Sequence, residues 1–459
     1  IDSYHSGHSK PERRQTESQL KEGELDGVIS TNGLEVGIDV GSLDPVVIDT
    51  YPGTRASVWQ QFGRAGRKQE KSLGILVASN KSVDQYITQS PEFVFDKSNI
   101  EECVLDLSNR QVVQLHLQAA AKEKQLTHSD TKYFGSKLSS DVDKLKIQGN
   151  LSGILNEEQG VVYPDSHEEK RPESNISIYG SSTNDYKVVL DYKNGESQTL
   201  PTVSSRRAYR DLHENAVYYH KGKSFIVERV THPTSAQDTG RIWAKEQTVT
   251  YSTQSEKDLS IEALDSEQHI SADGITMHYG TATLAESYTE FKKKFENERE
   301  DIEGLPTNNP DSLTLRTKGF WFTFSEGILS ELQNRTNGNP LASLHAAEHA
   351  LIKMAPVSLT VDEEDLGGVS SRFSPLDSEA VLLVYEGSSG GVGFAKSMYE
   401  QNKQLFSTTI TRLSECECTS VEGCPACTMS DSCGNNNEHL HKSGAELLLR
   451  VMLNMFEEN

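Results

Sequence analysis

The chain is poor in cysteine, in cationic residues and in long apolar runs, and each shortage narrows what it can be. Only six cysteines occur in 459 residues, five of them between Cys416 and Cys433, with Cys103 alone elsewhere. Thiols bunched in this way cannot staple separate domains, which excludes a disulfide framework and makes metal binding their natural use. Lys and Arg number 45 against 68 Asp and Glu, a net charge of −23. That surface repels a polyanion at long range, so gripping nucleic acid by bulk charge is excluded and any such contact must use local basic clusters. No run approaches the roughly 20 apolar residues that span a bilayer. The polar start, Ile1-Asp2-Ser3-Tyr4-His5, has no signal-peptide apolar core. The expectation is a soluble, cytoplasmic, monomeric protein without a membrane partner, with about three domains at roughly 150 residues each.

What is present reads first as alternating helix and strand. Lys10 to Glu22 is polar and helix-favouring with Gly23 as a stop. Gly27 to Thr31, Pro45 to Asp49 and Leu73 to Ala78 are short apolar strands, with a helix from Ser57 to Phe62 among them. This order predicts a parallel α/β sheet, whose ligands bind at the C-terminal ends of its strands. Arg110 to Lys124 and Ser139 to Gln148 are helix-compatible, and Gly160 to Tyr163 suits a wing strand, so a small winged helix is expected. From Asn175 to about Thr253, β-rich runs alternate with turns and predict a small barrel. Gly222-Lys223-Ser224 sits there in a hairpin turn, between Ala216–His220 and Ser224–Val227, and is no phosphate loop. Arg206, Arg207, Tyr209 and Arg210 form a basic patch that reads either as a solvated charged turn or as a surface for phosphates and a stacked base. Glu290 to Glu303 looks like an exposed charged helix ending near Gly304 and Pro306. Leu447, Leu448, Val451, Met452, Met455 and Phe456 recur at helical spacing.

The cysteines read as Cys416-Glu417-Cys418, then Cys424-Pro425-Ala426-Cys427, then Cys433. Zn²⁺ in structural sites takes four tetrahedral ligands, and such short intervals let one segment supply them all. Five cysteines compete for four places, and the assignment made here is Cys418, Cys424, Cys427 and Cys433, with Cys416 as the extra. A second metal-like pattern, His345-x-x-Glu348-His349, puts two imidazoles on one helix face with a carboxylate between them, as in hydrolases that use a zinc-bound water. Leu344, Ala347, Ala350, Leu351 and Met354 around it equally suit a core helix.

Two strand ends carry sharper signals. STNGLEVGIDVG runs from Ser30 to Gly41 and QQFGRAGRK from Gln60 to Lys68. They resemble motifs V and VI of superfamily 2 helicases, and Tyr4-His5-Ser6-Gly7-His8 resembles the element that precedes them in RecQ-like members. At the other end, GCPxC, CGN and LHKSGAELLL, with Leu344 to Leu351, Asp365 to Gly368 and Tyr385 to Phe394, resemble the C-terminal domain of the MrfA-type mitomycin repair helicases and their fungal RecQ-like relatives.

The resemblance implies an α/β multidomain protein. Residues 1–92 would be a partial second RecA-like helicase domain, 93–175 a winged helix, and 176–459 an α+β zinc-binding domain with a barrel-like part at 176–255 and the cysteine cluster at 416–433. It implies that Arg64 and Arg67 reach the γ-phosphate of ATP, Arg67 being the better finger, because a guanidinium stays charged and offers a planar fork of donors. Gln60 would position the nucleotide, Gly37 and Asp39 would meet its ribose, and His5, Ser6, Thr31 and Asn32 would lie at the DNA backbone, with Arg206, Arg207 and Arg210 as further DNA contacts. The activity implied is 3′ to 5′ DNA unwinding in repair of crosslinks or bulky adducts, on single strands or 3′ overhangs, with ATP, Mg²⁺ and structural Zn²⁺. The phosphate loop GxxxxGK[ST] is absent, and Asp362-Glu363-Glu364-Asp365 follows motifs V and VI instead of preceding them. The chain therefore reads as the C-terminal part of a longer protein, inactive by itself as an ATPase. Two rivals stand beside this reading: a zinc metallohydrolase built on His345, Glu348 and His349, and a non-enzymatic DNA-binding adaptor.

Overall fold

The computed structural model describes the chain apart from residues 6–7, 9, 36–42, 44, 67–70, 97–100, 102–103, 108, 165, 167–170, 177–184, 201, 234–237, 296–298, 306–311, 376–378 and 458–459. The first ninety residues alternate as expected. β1 (Asp2–Tyr4), α1 (Lys10–Lys21), β2 (Val28–Ser30), β3 (Pro45–Asp49), α2 (Arg55–Phe62), β4 (Leu73–Val77), α3 (Ser82–Gln89) and the short α4 (Glu92–Phe95) follow in order. β1 pairs β2 and β3 pairs β4, both in parallel. Gly23 ends α1 with a φ of 75°, a conformation that costs glycine little. Thr54 starts α2 by accepting a hydrogen bond from the Ser57 N–H. Ile48, Val58, Val83, Ile87, Phe93 and Val94 bury themselves as the core of this lobe.

Next come α5 (Arg110–Glu123), α6 (Thr131–Phe134), α7 (Leu138–Ile147) and a two-stranded wing of β5 (Ser152–Gly153) and β6 (Val161–Val162), packed around Leu117, Leu138, Val142 and Leu145. The β-rich stretch comprises β7 (Asp185–Asp191), β8 (Ser197–Thr199), β9 (Val203–Ser204), α8 (Ser205–Asp211), β10 (Val217–His220), β11 (Lys223–Thr231) and β12 (Gly240–Glu246). The expected barrel is instead an open sheet in the order β10-β11-β12-β7-β8, with β9 against β7 and the outermost strands unpaired to one another among the described residues. The basic residues from Arg206 to Arg210 lie on helix α8, not in a turn.

The rest is built on β13 (Tyr251–Ala272), β14 (Ile275–Phe295), β15 (Glu300–Gly304), β16 (Leu313–Phe324), α9 (Glu326–Thr336), α10 (Pro340–Ser358), β17 (Leu366–Ser371), β18 (Ala380–Glu386), α11 (Phe394–Glu400), α12 (Asn402–Glu415) and α13 (Lys442–Glu457). The sheet order is β13-β14-β16-β18-β17 with β15 on β14. Of residues 290–303, expected as a helix, 290–295 end β14 and 300–303 belong to β15. Their charges pair between strands, Lys292 with Glu256 at 3.0 Å and Lys293 with Glu303 at 2.6 Å. β18 is buried along its whole length: its residues alternate between the core beneath the helical layer and a second cluster shared with Trp321, Leu264 and Leu284 of the same sheet. α10 lies in the centre of the helical layer, packed on α12, α13, β17 and β18 and reaching α3 of the first lobe. Its buried position explains why its sequence is apolar on nearly every side.

Candidate metal centre and motor site

The end of α12 and the loop before α13 bring four sulfurs together. Cys416 caps the C-terminus of α12, and Lys442 at the start of α13 donates to its carbonyl at 2.7 Å while standing 3.4 Å from Cys418 Sγ. In the loop, the Cys427 N–H closes a turn on the Cys424 carbonyl at 3.0 Å, and the Cys424 N–H points at Cys427 Sγ at 3.2 Å. Gly423, with φ 93°, makes the turn possible: a Cβ there would lie 2.0 Å from Thr428 Oγ1. The sulfur separations are 3.6 Å for Cys416–Cys424, 3.7 Å for Cys418–Cys427 and 3.8 Å for Cys424–Cys427. A tetrahedral Zn²⁺ with bonds of about 2.3 Å has sulfur–sulfur edges of about 3.8 Å, so the four thiols fit that ion. The set differs from the expected one. Cys416 takes the fourth corner and Cys433 stands apart, beside His345 and His349. Burial pushes the Cys424 thiol up to about 12. It also raises Cys416, but hydrogen bonds from the Cys418 main chain and the neighbouring thiols outweigh it and bring Cys416 to about 7. Metal uptake therefore has to displace protons.

In the first lobe, the turn after α2 folds back on the segment after β2. Arg64 Nη2 donates to the Glu35 carbonyl at 2.8 Å, and Gln61 Nε2 to the Glu35 carboxylate at 2.7 Å. The Leu43 N–H donates to the Arg64 carbonyl and the Gly66 N–H to the Leu43 carbonyl, tying the two motif-bearing segments together. Gln60 is exposed on α2, and Thr31 and Asn32 are exposed at the end of β2. The His5 ring stands 4.0 Å from that of His8. Ser6, Gly37, Asp39 and Arg67 lie outside the described residues.

Three protein families match this chain in series. The helicase conserved C-terminal domain covers residues 1–69, the winged helix domain of the ATP-dependent helicase HRQ1 covers 105–181, and the MrfA Zn-binding domain covers 347–428. The chain is 30% identical to the ATP-dependent helicase hrq1 of Schizosaccharomyces pombe over 99% of its own length and 42% of the relative's. With the uncharacterized ATP-dependent helicase YprA of Bacillus subtilis the identity is 28%, over 93% of this chain and 54% of that one. The crystal structure of the DUF1998 helicase MrfA bound to DNA superposes over 98% of this chain and 57% of that one, with a TM-score of 0.60 and 26% identity. The chain is similar to the MrfA and HRQ1 helicases over nearly all of its own length. It spans about half the length of the curated relatives it matches.

The MrfA zinc-binding match takes in Cys416, Cys418, Cys424 and Cys427 and ends before Cys433, in agreement with the sulfur geometry. The basic patch of this MrfA-like chain is internally neutralised. Arg206 makes two bonds to Glu286, at 2.9 and 3.2 Å, and Arg207 and Arg210 both pair with Asp211. It is thus a weaker phosphate surface than its sequence indicates. Tyr209 is buried against Tyr186, with their hydroxyls 2.9 Å apart, and offers no face for a base. The sequence reading missed two things: the inclusion of Cys416, and the approach of Cys433 to the histidines of α10. The first had a signal in the Cys-x-Cys spacing. The second depends on a loop returning over 80 residues of chain and had none.

Proposed function

We propose that this chain provides the second motor lobe, winged helix and zinc-binding domain of an ATP-dependent DNA helicase that moves 3′ to 5′ and acts in repair of crosslinks or bulky adducts. The observation that carries the reading is the docking of the Arg64 turn on Glu35 and Leu43. It holds a guanidinium at the end of α2 against Glu35, with the turn tied to Leu43, so that one lobe would offer arginine to a nucleotide. Phosphoryl transfer requires positioning and neutralisation of charge developing on the γ-phosphate, which a planar guanidinium supplies. The Glu35 carbonyl accepts from Arg64 Nη2 and fixes the side chain at the end of α2. Thr31 and Asn32 would take phosphodiester oxygens of a single strand, and their exposure at the end of β2 supports this. Bound zinc cross-links the α12 end to the loop before α13 and takes no direct part in the chemical step. The names of the relatives, ATP-dependent helicases, and the DNA-bound MrfA structure support the activity.

The test is hydrolysis and unwinding by the full gene product. DNA-stimulated ATP turnover is expected, with 3′-tailed duplexes opened in preference to 5′-tailed ones. Arg64→Ala should lower kcat by about 10²-fold or more while leaving nucleotide binding nearly intact. Turnover unchanged in that variant, or no stimulation by single-stranded DNA, would overturn the reading.

A further inference from the structure

We propose that His345, His349 and Cys433 bind a second divalent metal ion of the zinc class, separate from the four-cysteine centre, with an open coordination position facing a cavity between the first lobe and the zinc-binding domain. The donor atoms of the three side chains lie within 4.8 Å of one another, and His345 Nε2 is 3.6 Å from Cys433 Sγ. With metal–nitrogen bonds near 2.0 to 2.1 Å and metal–sulfur near 2.3 Å, a tetrahedral site requires a nitrogen–sulfur edge of about 3.6 Å. The two groups share no residue, so one ion cannot serve both.

The surroundings hold the rings as metal ligands are held. His349 Nδ1 donates to the Thr428 carbonyl at 2.8 Å, which fixes the tautomer and leaves the Nε2 lone pair free for a metal. The main chain at Glu438 and His439 hydrogen-bonds the His345 ring, whose Nε2 faces the sulfur. Cys433 Sγ accepts the Asn437 N–H at 3.3 Å, a contact that favours a thiolate. It also lies 2.8 Å from the Asn435 side-chain amide, which on loss of the thiol proton turns to present its nitrogen.

A second observation points to a ligand. Glu348, only 4% exposed, has an Oε2 with no hydrogen-bond partner and lines the same cavity as the three donors. A buried unpaired carboxylate oxygen is costly unless a cation or a bound water completes it. Glu348 is not within the donor group itself. In the proposal, its Oε2 is the partner for a water on the fourth coordination position. The cavity of about 1080 Å³ is also lined by Lys81, Arg206 and Lys257 and by Asp84, Asp362 and Glu363, so the open position looks onto a space bordered by charges of both signs.

Zinc per chain, measured by atomic emission on the purified wild-type protein, is expected to be two, one for each donor group. Cys433→Ser and His349→Ala should each hold one, and each should keep the circular dichroism spectrum of the wild type. One zinc in the wild type, unchanged in Cys433→Ser, would overturn the proposal, as would two zincs retained by both variants. Cobalt reconstitution of metal-stripped wild type keeps the question answerable where a variant fails to fold. A four-thiolate and a one-thiolate centre give two sets of visible bands that fill separately, whereas a single set counts against a second site. Azide should shift the one-thiolate bands. Bands that azide leaves unmoved would exclude the open position.

Discussion

Glu286 on β14 shows how a buried charge in this protein is matched. Burial acts to raise its pKa, but Arg206 beside it, the Tyr288 hydroxyl and Lys257 outweigh that and leave the carboxyl below the usual glutamate range. The folded state thus favours the ionised form. The stabilisation is present above the unfolded value of about 4.3 and is lost as pH falls through the folded one. Glu286→Gln should lower stability at pH 7 by about 1–3 kcal/mol, part of the full cost of breaking a buried pair because Arg206 is partly solvated. Thermal melts from pH 7 down to pH 3 should show the gap to wild type narrowing below pH 4. A gap constant across that range would remove the ion pair as its cause. A second prediction separates the cysteines. Cys416→Ser should lose one metal ion and lower the melting temperature, since Cys416 is buried in the core formed by α10, α12 and α13. Retention of the full metal content in Cys416→Ser would return Cys416 to the role of the spare thiol. Spacing alone could not choose among five cysteines. What chooses is the end of α12 and the Lys442 ammonium beside it, both consequences of tertiary packing.

At the scale of elements, the first lobe was the most legible part, because its strands are short apolar runs with polar breaks, and β3 matches its expected bounds. The winged helix also followed from helical periodicity. The β13–β14 hairpin did not. Its strands are long, carry irregular registers at three places, and hold cross-strand ion pairs that read along the chain as the charge pattern of a solvated helix. Cation and anion pairing between strands looks, in sequence, like pairing between helical turns. Asn109 is the small element-scale joint between winged helix and zinc domain. Its Oδ1 caps α5 by accepting from the Gln111 and Val112 N–H groups, and its Nδ2 donates to the Gly391 carbonyl at 2.6 Å. Asn109→Ala should cost about 1–2 kcal/mol for the cap. Hydrogen exchange should show faster amides both at the start of α5 and at Gly390–Gly393. Exchange accelerated at α5 alone would mean that the joint carries no coupling.

Across the whole molecule, the zinc loop is wired to the motor lobe. Ser82 at the start of α3 donates to the Ala426 carbonyl at 3.0 Å, inside the Cys424–Cys427 turn, and Arg412 of α12 reaches Gln89 at the other end of α3. Val357 of α10 packs on the core of the first lobe. The metal therefore sets the position of a loop that α3 leans on, and α3 follows β4 in the same lobe that carries Arg64. Stripping zinc with a chelator should release both partners of that contact. Amides of Cys424–Thr428 and of Ser82–Gln89 are expected to lose exchange protection together, with α5 and α7, which bury a separate core around Leu117 and Val142, unaffected. If the cysteine loop loosens while α3 keeps its protection, the zinc centre holds only its own domain. If both loosen, ATP turnover in the full gene product should fall on chelation, because the lobe presenting Arg64 has lost a support at α3.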